Sequence, residues 1–558
     1  MLTEIEYLRP VKINRIHFLL VLAIFSASCR PGPSGKQGNK TVFRYNESAG
    51  ISSLDPAFAR YVENNRALNH LFNGLVQMDE NMNVLPCIAT DWEVSEDGKV
   101  YTFFLRRDVY FHPHPSFPAG KTRKVTAHDF VYSFLRITDP KTASPGAWIF
   151  SNVDNSQEDH LGFEAIEKYT LRIYLKEPFQ PFLGLLTMKY CSVVPHEVVE
   201  ELGKDFRNRP IGTGPFRFQT WREGNKLVLL RNENYFEKDE DGERYPYLDA
   251  VAISFIGDEE VEYLEFLKGN LDFLSGSNSS NLEFLDQNGK IKEKYAGRFE
   301  MQTRPYLNTE YLGILMDSTR SVMKGSPLNQ KLVRQAINLG FNRRDMIKYL
   351  RNNIGRAAEE GFIPEGMPPY QKDWINGFHY DTDSARALLK LAGHPSGSGL
   401  QPIKLSTTSQ YLTLCEYIQS QLSEIGIKLE IELNPAATAR EMVALSKVAF
   451  FRKSWVADYP DAENYLALFY SGNFSPNGPN YTHFNNAAYD KLYEACRVEQ
   501  DAEKRFAMYK EMEEILMKEA VIVPLYYDRV VNYYQTFVSG LSSNSMNILD
   551  LRKVRMGA

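Results

Sequence analysis

Within one stretch, Leu412 to Leu433, the apolar residues change period, and few features restrict a fold more. Leu412, Cys415, Ile418, Leu422 and Ile425 recur at three- and four-residue steps and so form one face of a helix. Gly426 ends that helix, because glycine alone enters the left-handed region without cost. Ile427, Leu429, Ile431 and Leu433 then alternate, as in a strand with one buried face. A chain built of such units must layer helices against a sheet. Residues 100–105, 171–175, 226–230 and 251–255 read as further strands. Residues 383–392 read as a helix with Thr382 as N-cap, Gly393 just past its end and Pro395 beyond. Residues 486–519 read as helical, and residues 521–527 as extended. No internal repeat interrupts this alternation. The expected class is mixed α/β, in two or three domains for 558 residues.

The N-terminus reads as an export signal. Arg9, Lys12 and Arg15 precede an apolar run from Ile16 to Phe25, about ten residues and too short to span a bilayer. Ser26-Ala-Ser-Cys29 closes it, similar to the lipobox of bacterial lipoproteins except that Ser26 stands where leucine is usual. Residues 1–28 are thus expected to be a signal peptide, Cys29 the lipidated residue and 29–40 a Pro- and Gly-rich tether. The remainder carries 61 Lys+Arg and 68 Asp+Glu, a net charge of −7, without basic tracts. Nucleic-acid binding is not expected. Cys87, Cys191, Cys415 and Cys496 are widely spaced and read as buried small hydrophobes, with one or two disulfides left open.

The motifs that would make an enzyme each fail on a necessary residue. His196-Glu197-Val-Val-Glu200 lacks the second histidine of a zincin helix, so it reads as a helix start after Pro195. His112-Pro-His114 lacks a third ligand and reads as a solvated loop. Asp239-Glu-Asp241-Gly242 places Leu248 where a calcium loop needs a bidentate glutamate. Gly212-Thr-Gly-Pro-Phe216 lacks the Gly-Lys-Ser/Thr of a phosphate loop and reads as a tight turn entering a strand. No G-x-S-x-G elbow occurs. No catalytic residue, metal or cofactor is expected.

One stretch does call for a partner. Trp455-Val-Ala-Asp458-Tyr-Pro-Asp461-Ala-Glu-Asn-Tyr465 sets carboxylates among aromatics, after an apolar-rich run over residues 443–451. A carboxylate so placed needs a cation or several donors, because an isolated buried charge is costly. From the residues alone, an internal arginine, a helix cap or a ligand could supply it.

Several blocks carry a resemblance to a known family. Leu54-Asp-Pro56 is followed by Leu71-Phe-Asn-Gly-Leu-Val76, Pro86-Cys-Ile-Ala-Thr-Asp-Trp92 and Asp97-Gly-Lys-Val-Tyr-Thr-Phe-Phe-Leu-Arg106. Val125-Thr-Ala-His-Asp-Phe-Val-Tyr-Ser-Phe134 comes next, with Asp139-Pro-Lys-Thr-Ala-Ser-Pro145 after it. Gly212-Thr-Gly-Pro-Phe216, Asn234-Tyr235 and Val333-Arg-Gln-Ala-Ile337 complete the order. From about Thr41 onward the chain resembles the extracellular solute-binding proteins of peptide ABC importers, the oligopeptide- and dipeptide-binding group (family 5).

The resemblance implies a two-lobed α/β fold of the periplasmic-binding-protein type (class II) with an additional third domain and a ligand crevice between the lobes. It would build lobe I from 41–79, 190–281 and 521–558, the extra domain from 80–189 and lobe II from 282–520. It further implies that Asp458, in a W-x-x-D-Y context, pairs with the α-amino group of a short peptide. Trp455, Val456 and Ala457, with Tyr459 beside them, would bind the peptide backbone as an added strand. Arg60, Tyr61 and Val62 fall where the opposite lobe contributes, and Trp148 near the pocket. Asp461 and Glu463 are expected to be structural or at the surface, and no cationic anchor for the ligand's C-terminus can be placed. The implied protein is a monomeric, lipid-anchored receptor outside the cytoplasmic membrane that delivers peptides to an ABC permease with its cytoplasmic ATPase. The family leaves nickel chelates, haem or oligosaccharides open as ligands, and a non-transport surface receptor or adhesin as another role.

Overall fold

The computed structural model describes residues 40–557, apart from 119–120, 157–158 and 160. The export signal, Cys29 and the tether as far as Asn39 lie outside the described residues. Among those described, no helix is long and apolar enough to cross a membrane.

The period change at Gly426 takes the expected form. Helix Leu412–Glu424 ends ahead of Gly426 at φ +92°, and strand Leu429–Leu433 follows. A side chain at Gly426 would be barred twice, by that φ and by the Ser396 carbonyl 2.3 Å from its Cβ position. The strand lies parallel to Ile403–Thr407, so the helix is the crossover of a β–α–β unit. Its apolar face packs Cys415, Ile418 and Leu422 against Leu405 and Phe450.

Three larger sheets organise the chain. The first orders Val42–Asn46, Ala250–Ser254, Lys226–Arg231 and Phe216–Arg222, with the first pair parallel and the rest antiparallel. The second is an antiparallel set of Ala89–Val94, Val100–Leu105, Thr170–Tyr174 and Phe163–Glu167. The third runs Phe273–Ser275, Ile522–Gln535, Phe299–Ile314, Phe450–Val456, Ile403–Thr407 and Leu429–Leu433, and Arg356–Ala357 also pairs with Ile522–Gln535. The first two sheets share a core with Phe43, Phe103 and Phe216. The third divides between a core around Leu405 and Phe450 and others around Tyr465 and Phe284.

Two long strands tie these cores together. Phe299–Ile314 pairs antiparallel with Ile522–Gln535 along its length, with a register break between Pro305 and Thr309. Phe299 and Tyr533, at one end, lie in the Phe284 core. Leu312 and Val523, at the other, lie in the Leu405 core.

Several local expectations need correction. The cap of helix Thr382–Leu391 is Asp381, whose carboxylate accepts from the Ser384 N–H, and Thr382 is already helical. The helical stretch 486–519 is two helices, Ala487–Val498 and Ala502–Glu519, the second capped by Asp501. The extended run beyond residue 521 continues to Gln535. The apolar run 443–451 divides between helix Ala436–Ala444 and strand Phe450–Val456.

His112 is not solvated: it is buried, accepts from the Gly212 N–H at Nδ1 (3.3 Å) and donates from Nε2 to the Gly214 carbonyl (3.0 Å). That clasp holds the turn before Phe216–Arg222, where Gly212 must be bare because its Cβ position is 2.1 Å from the Leu71 carbonyl. Among the described residues Cys87, Cys191, Cys415 and Cys496 are buried and free, so no disulfide joins them.

Candidate functional site

Strand Phe450–Val456 positions the site. It pairs with Phe299–Ile314 along its length, but with Ile403–Thr407 only at Phe450 and Phe451. From Arg452 onward one edge of its backbone has no neighbouring strand among the described residues. The strand ends where the register of Phe299–Ile314 breaks: Ala457 N–H donates to the Leu307 carbonyl at 2.9 Å, and the Tyr465 hydroxyl donates to the same oxygen at 2.6 Å.

Beyond that point the chain enters a cleft of about 560 Å³. Trp455, Val456, Ala457 and Asp458 supply one part of its lining. Arg60, Val62 and Asn65, at the start of helix Val62–Leu71, supply another, with Trp148 and the run Thr187, Met188, Lys189 and Tyr190. The sequence-derived site residues are therefore brought together, apart from two. Tyr61 is 53% exposed beside the Arg60 guanidinium and does not line the cleft. Tyr459 is buried, with its hydroxyl on Glu463 and its ring 6.4 Å from that of Trp148. It supports the wall from behind.

Asp458 finds neither of the internal partners that its sequence context left open. It caps no helix, and among the described residues it forms no ion pair. Although reached by solvent through the cleft, it is enclosed on its other sides, and burial pushes its carboxyl up to about 6. Only Asn464 opposes that shift: its amide donates to Asp458 Oδ2 at 3.4 Å. The Asn464 carbonyl oxygen also accepts from the Trp455 indole N–H (2.9 Å) and the Asp458 N–H (3.2 Å), fixing the wall's shape.

The neighbouring acids are committed elsewhere. Asp461 accepts from the Tyr509 hydroxyl (2.7 Å) and the Glu463 N–H (2.9 Å). Glu463 is buried and accepts from the hydroxyls of Tyr459 and Tyr493. Both are scaffolding for the loop that presents Asp458.

Sequence reasoning missed Asn464, Asn65, Lys189 and Tyr190. Asn65 Oδ1 is buried without a hydrogen-bond partner, an acceptor left open on the cleft wall. Only the Trp455-x-x-Asp458 segment carried a signal that reached Asn464. The others sit in elements whose sequence reads as ordinary helix or turn.

Chemically, the cleft offers a desolvated carboxylate suited to an ammonium and a strand edge with free backbone groups. Among the described residues no three His, Cys, Asp or Glu side chains are grouped to hold a metal ion. His196 and Glu197 lie in helix His196–Leu202, where Glu197 pairs with Arg123.

Over residues 83–477 the chain matches the family model described as Bacterial extracellular solute-binding proteins, family 5 Middle. It is 26% identical over 569 residues to Di/tripeptide-binding protein 2 of Pseudomonas aeruginosa, covering 98% of this chain and 100% of that protein. It is 26% identical over 476 residues to Heme-binding protein A of Haemophilus influenzae, covering 83% and 82%. Among solved structures it is similar to the ABC transporter-associated periplasmic binding protein DppA from Helicobacter pylori in complex with peptide STSA. There the TM-score is 0.74 and the identity 27%, with 93% of this chain and 98% of that one covered.

Proposed function

Because this chain belongs to the bacterial extracellular solute-binding proteins of family 5, we propose that it captures short peptides and delivers them to the permease of an ABC importer. Its fold is the two-lobed α/β architecture of that family, with a third domain and a crevice between the lobes. The observation that carries the reading is the Asp458 carboxylate, enclosed at the end of a strand with one free edge and, among the described residues, unpaired with any cation. A peptide's α-ammonium satisfies that charge, and its backbone extends the sheet along Trp455, Val456 and Ala457. Arg60 and Val62 would hold it from the other lobe, with Trp148 over it and Tyr459 behind. The chain acts as a binding protein rather than an enzyme.

The lobes follow the division 41–79, 190–281 and 521–558 against 282–520, with 80–189 as the third domain. The core around Phe43 and Phe216, distinct from that around Leu405 and Phe450, supports the separation of residues 41–253 from 312–450, whereas Val523 and Leu525 pack with the latter and Phe103 with the former. Export by residues 1–28, lipidation of Cys29, a tether to residue 40 and a monomeric receptor outside the cytoplasmic membrane complete the proposal. Native mass spectrometry of the purified full chain, followed by release of its ligand, tests it. Peptides of a few residues are expected. Haem, a nickel chelate or an oligosaccharide in their place would overturn the peptide reading while leaving the fold untouched.

A further inference from the structure

A short arm reaches from the cleft into a core built by a distant part of the chain. Strands Val76–Met78 and Val84–Pro86 form a two-stranded sheet of their own, outside the three larger sheets. Such a hairpin is marginal in water by itself, so what its tip rests on decides where it lies. Asp79 shapes that tip: its carboxylate accepts from the N–H groups of Asn81 and Asn83 (both 2.8 Å) and from the Asn83 amide (2.9 Å). Glu80, Asn81 and Asn83 are exposed, and between them Met82 is buried, at 6% exposure. Its side chain enters the Tyr465 core, whose other buried members all fall within residues 307–522. Met82 reaches it with φ at +69°, a left-handed backbone that costs a methionine energy. Beside it Glu80 pairs with Arg304 of strand Phe299–Ile314 at 2.6 Å. At the base of the same hairpin Met78 lines the 560 Å³ cleft.

We propose that this hairpin is a latch. Met82 plugs into the lobe formed by 282–520, Glu80 clasps Arg304, and together they hold the crevice shut over a bound ligand. The inference rests on the lobes and the peptide reading given above and adds the device that retains the ligand. A single buried side chain on an otherwise exposed turn can withdraw without unfolding the core that receives it. Apolar burial and the ion pair favour the seated turn, and the left-handed backbone at Met82 opposes it. Two states so balanced are shifted by a ligand that touches the hairpin at Met78.

Stopped-flow dissociation and small-angle scattering on the full chain test the latch. The probe is the tightest-binding alanine peptide of two to five residues. Met82→Asn removes the plug yet suits the turn, since asparagine tolerates the left-handed region. It should release the peptide at least about tenfold faster, the loss of one buried apolar side chain, with association unchanged within about twofold. Met82→Leu keeps a plug of similar volume and should stay within about threefold of the unmodified chain. Glu80→Gln, at an exposed pair, should speed release about two- to fivefold. With peptide bound, Met82→Asn should also keep a larger radius of gyration than the unmodified chain.

Equal release from Met82→Asn and the unmodified chain would overturn the latch and leave the peptide reading intact, Met82 then being an ordinary member of the core. Release from Met82→Leu as fast as from Met82→Asn would overturn it too. If no peptide binds, the peptide reading falls, and scattering from the ligand-free chains decides the latch. Met82→Asn must then be more expanded than the unmodified chain, and an equal radius of gyration overturns the proposal. Should Met82→Asn fail to fold, Glu80→Gln decides in its place, and an unchanged release rate there would overturn the latch.

Discussion

Asp458 is held by the fold in a state the fold alone does not favour. Its carboxyl stands near 6 in the folded chain against an ordinary 3.8, so between those values the folded state holds the extra proton. Stability then falls as pH rises through that window and stays reduced above it, by about 1–2 kcal/mol once solvent in the cleft is allowed for. Asp458→Asn should therefore raise the melting temperature of the unliganded protein at pH 7.5, read by calorimetric scanning. The same substitution should weaken peptide binding by on the order of 3–5 kcal/mol, about two to nearly four orders of magnitude, because it strands the ligand's ammonium. A lower melting temperature with unchanged affinity would show the carboxylate to be structural.

The affinity of the unmodified protein should drop by about tenfold per unit as pH falls below about 6, since Asp458 must be ionised to hold an ammonium. Asp458 was legible in the sequence because a carboxylate set between Trp455 and Tyr459 calls for a partner. Asn464 was not, since its three hydrogen bonds exist only once the chain reverses over residues 458–464. Asn464→Ala should cost about 1–3 kcal/mol of stability and lower peptide affinity, because it leaves the half-buried Trp455 and Asp458 N–H donors without their acceptor.

At the scale of elements, the site depends on a strand that is paired on both edges at Phe450 and Phe451 and on one edge beyond them. If a peptide occupies the free edge, methylating a ligand backbone nitrogen that bonds to the strand should weaken binding by about 0.5–1.5 kcal/mol, whichever side chain it bears. Calorimetry on tripeptides N-methylated at successive positions would show this. Indifference at every position would argue that side chains alone are recognised.

Strands and helices with a clear period were legible at this scale, as at Leu412–Glu424 and Leu429–Leu433, because burial of one face imposes the period. What escaped depends on tertiary contacts or on a short break. Between the helix ending at Val498 and the one starting at Ala502 stand Glu499, Gln500 and Asp501, with neither glycine nor proline among them, so only the Asp501 cap marks the join. His112 is buried because the Gly212–Gly214 turn, a hundred residues away, closes over it.

Over the whole molecule, the strand pair Phe299–Ile314 and Ile522–Gln535 crosses from one core to another, and its register breaks beside the cleft. Both strands belong to one seven-stranded sheet, so closure of the proposed lobes would have to bend that sheet rather than part it. Tyr459 packs with the core of the first two sheets, and Pro460 lies against Gly184, where an added Cβ would be 3.3 Å away. The Asp458 loop therefore touches both sides of the crevice. Small-angle scattering should show the radius of gyration of the full chain falling when a tripeptide binds, and no change on binding would contradict closure by the lobes.

The central claim is that the charge left open at Asp458 belongs to a peptide's amino terminus. Isothermal calorimetry of one tripeptide, free and N-acetylated, against the unmodified chain at pH 7.5 tests it most directly. The free peptide should bind and the acetylated one should lose at least about a hundredfold in affinity. Equal affinity for the two would contradict the role given to Asp458 and with it the account of the cleft.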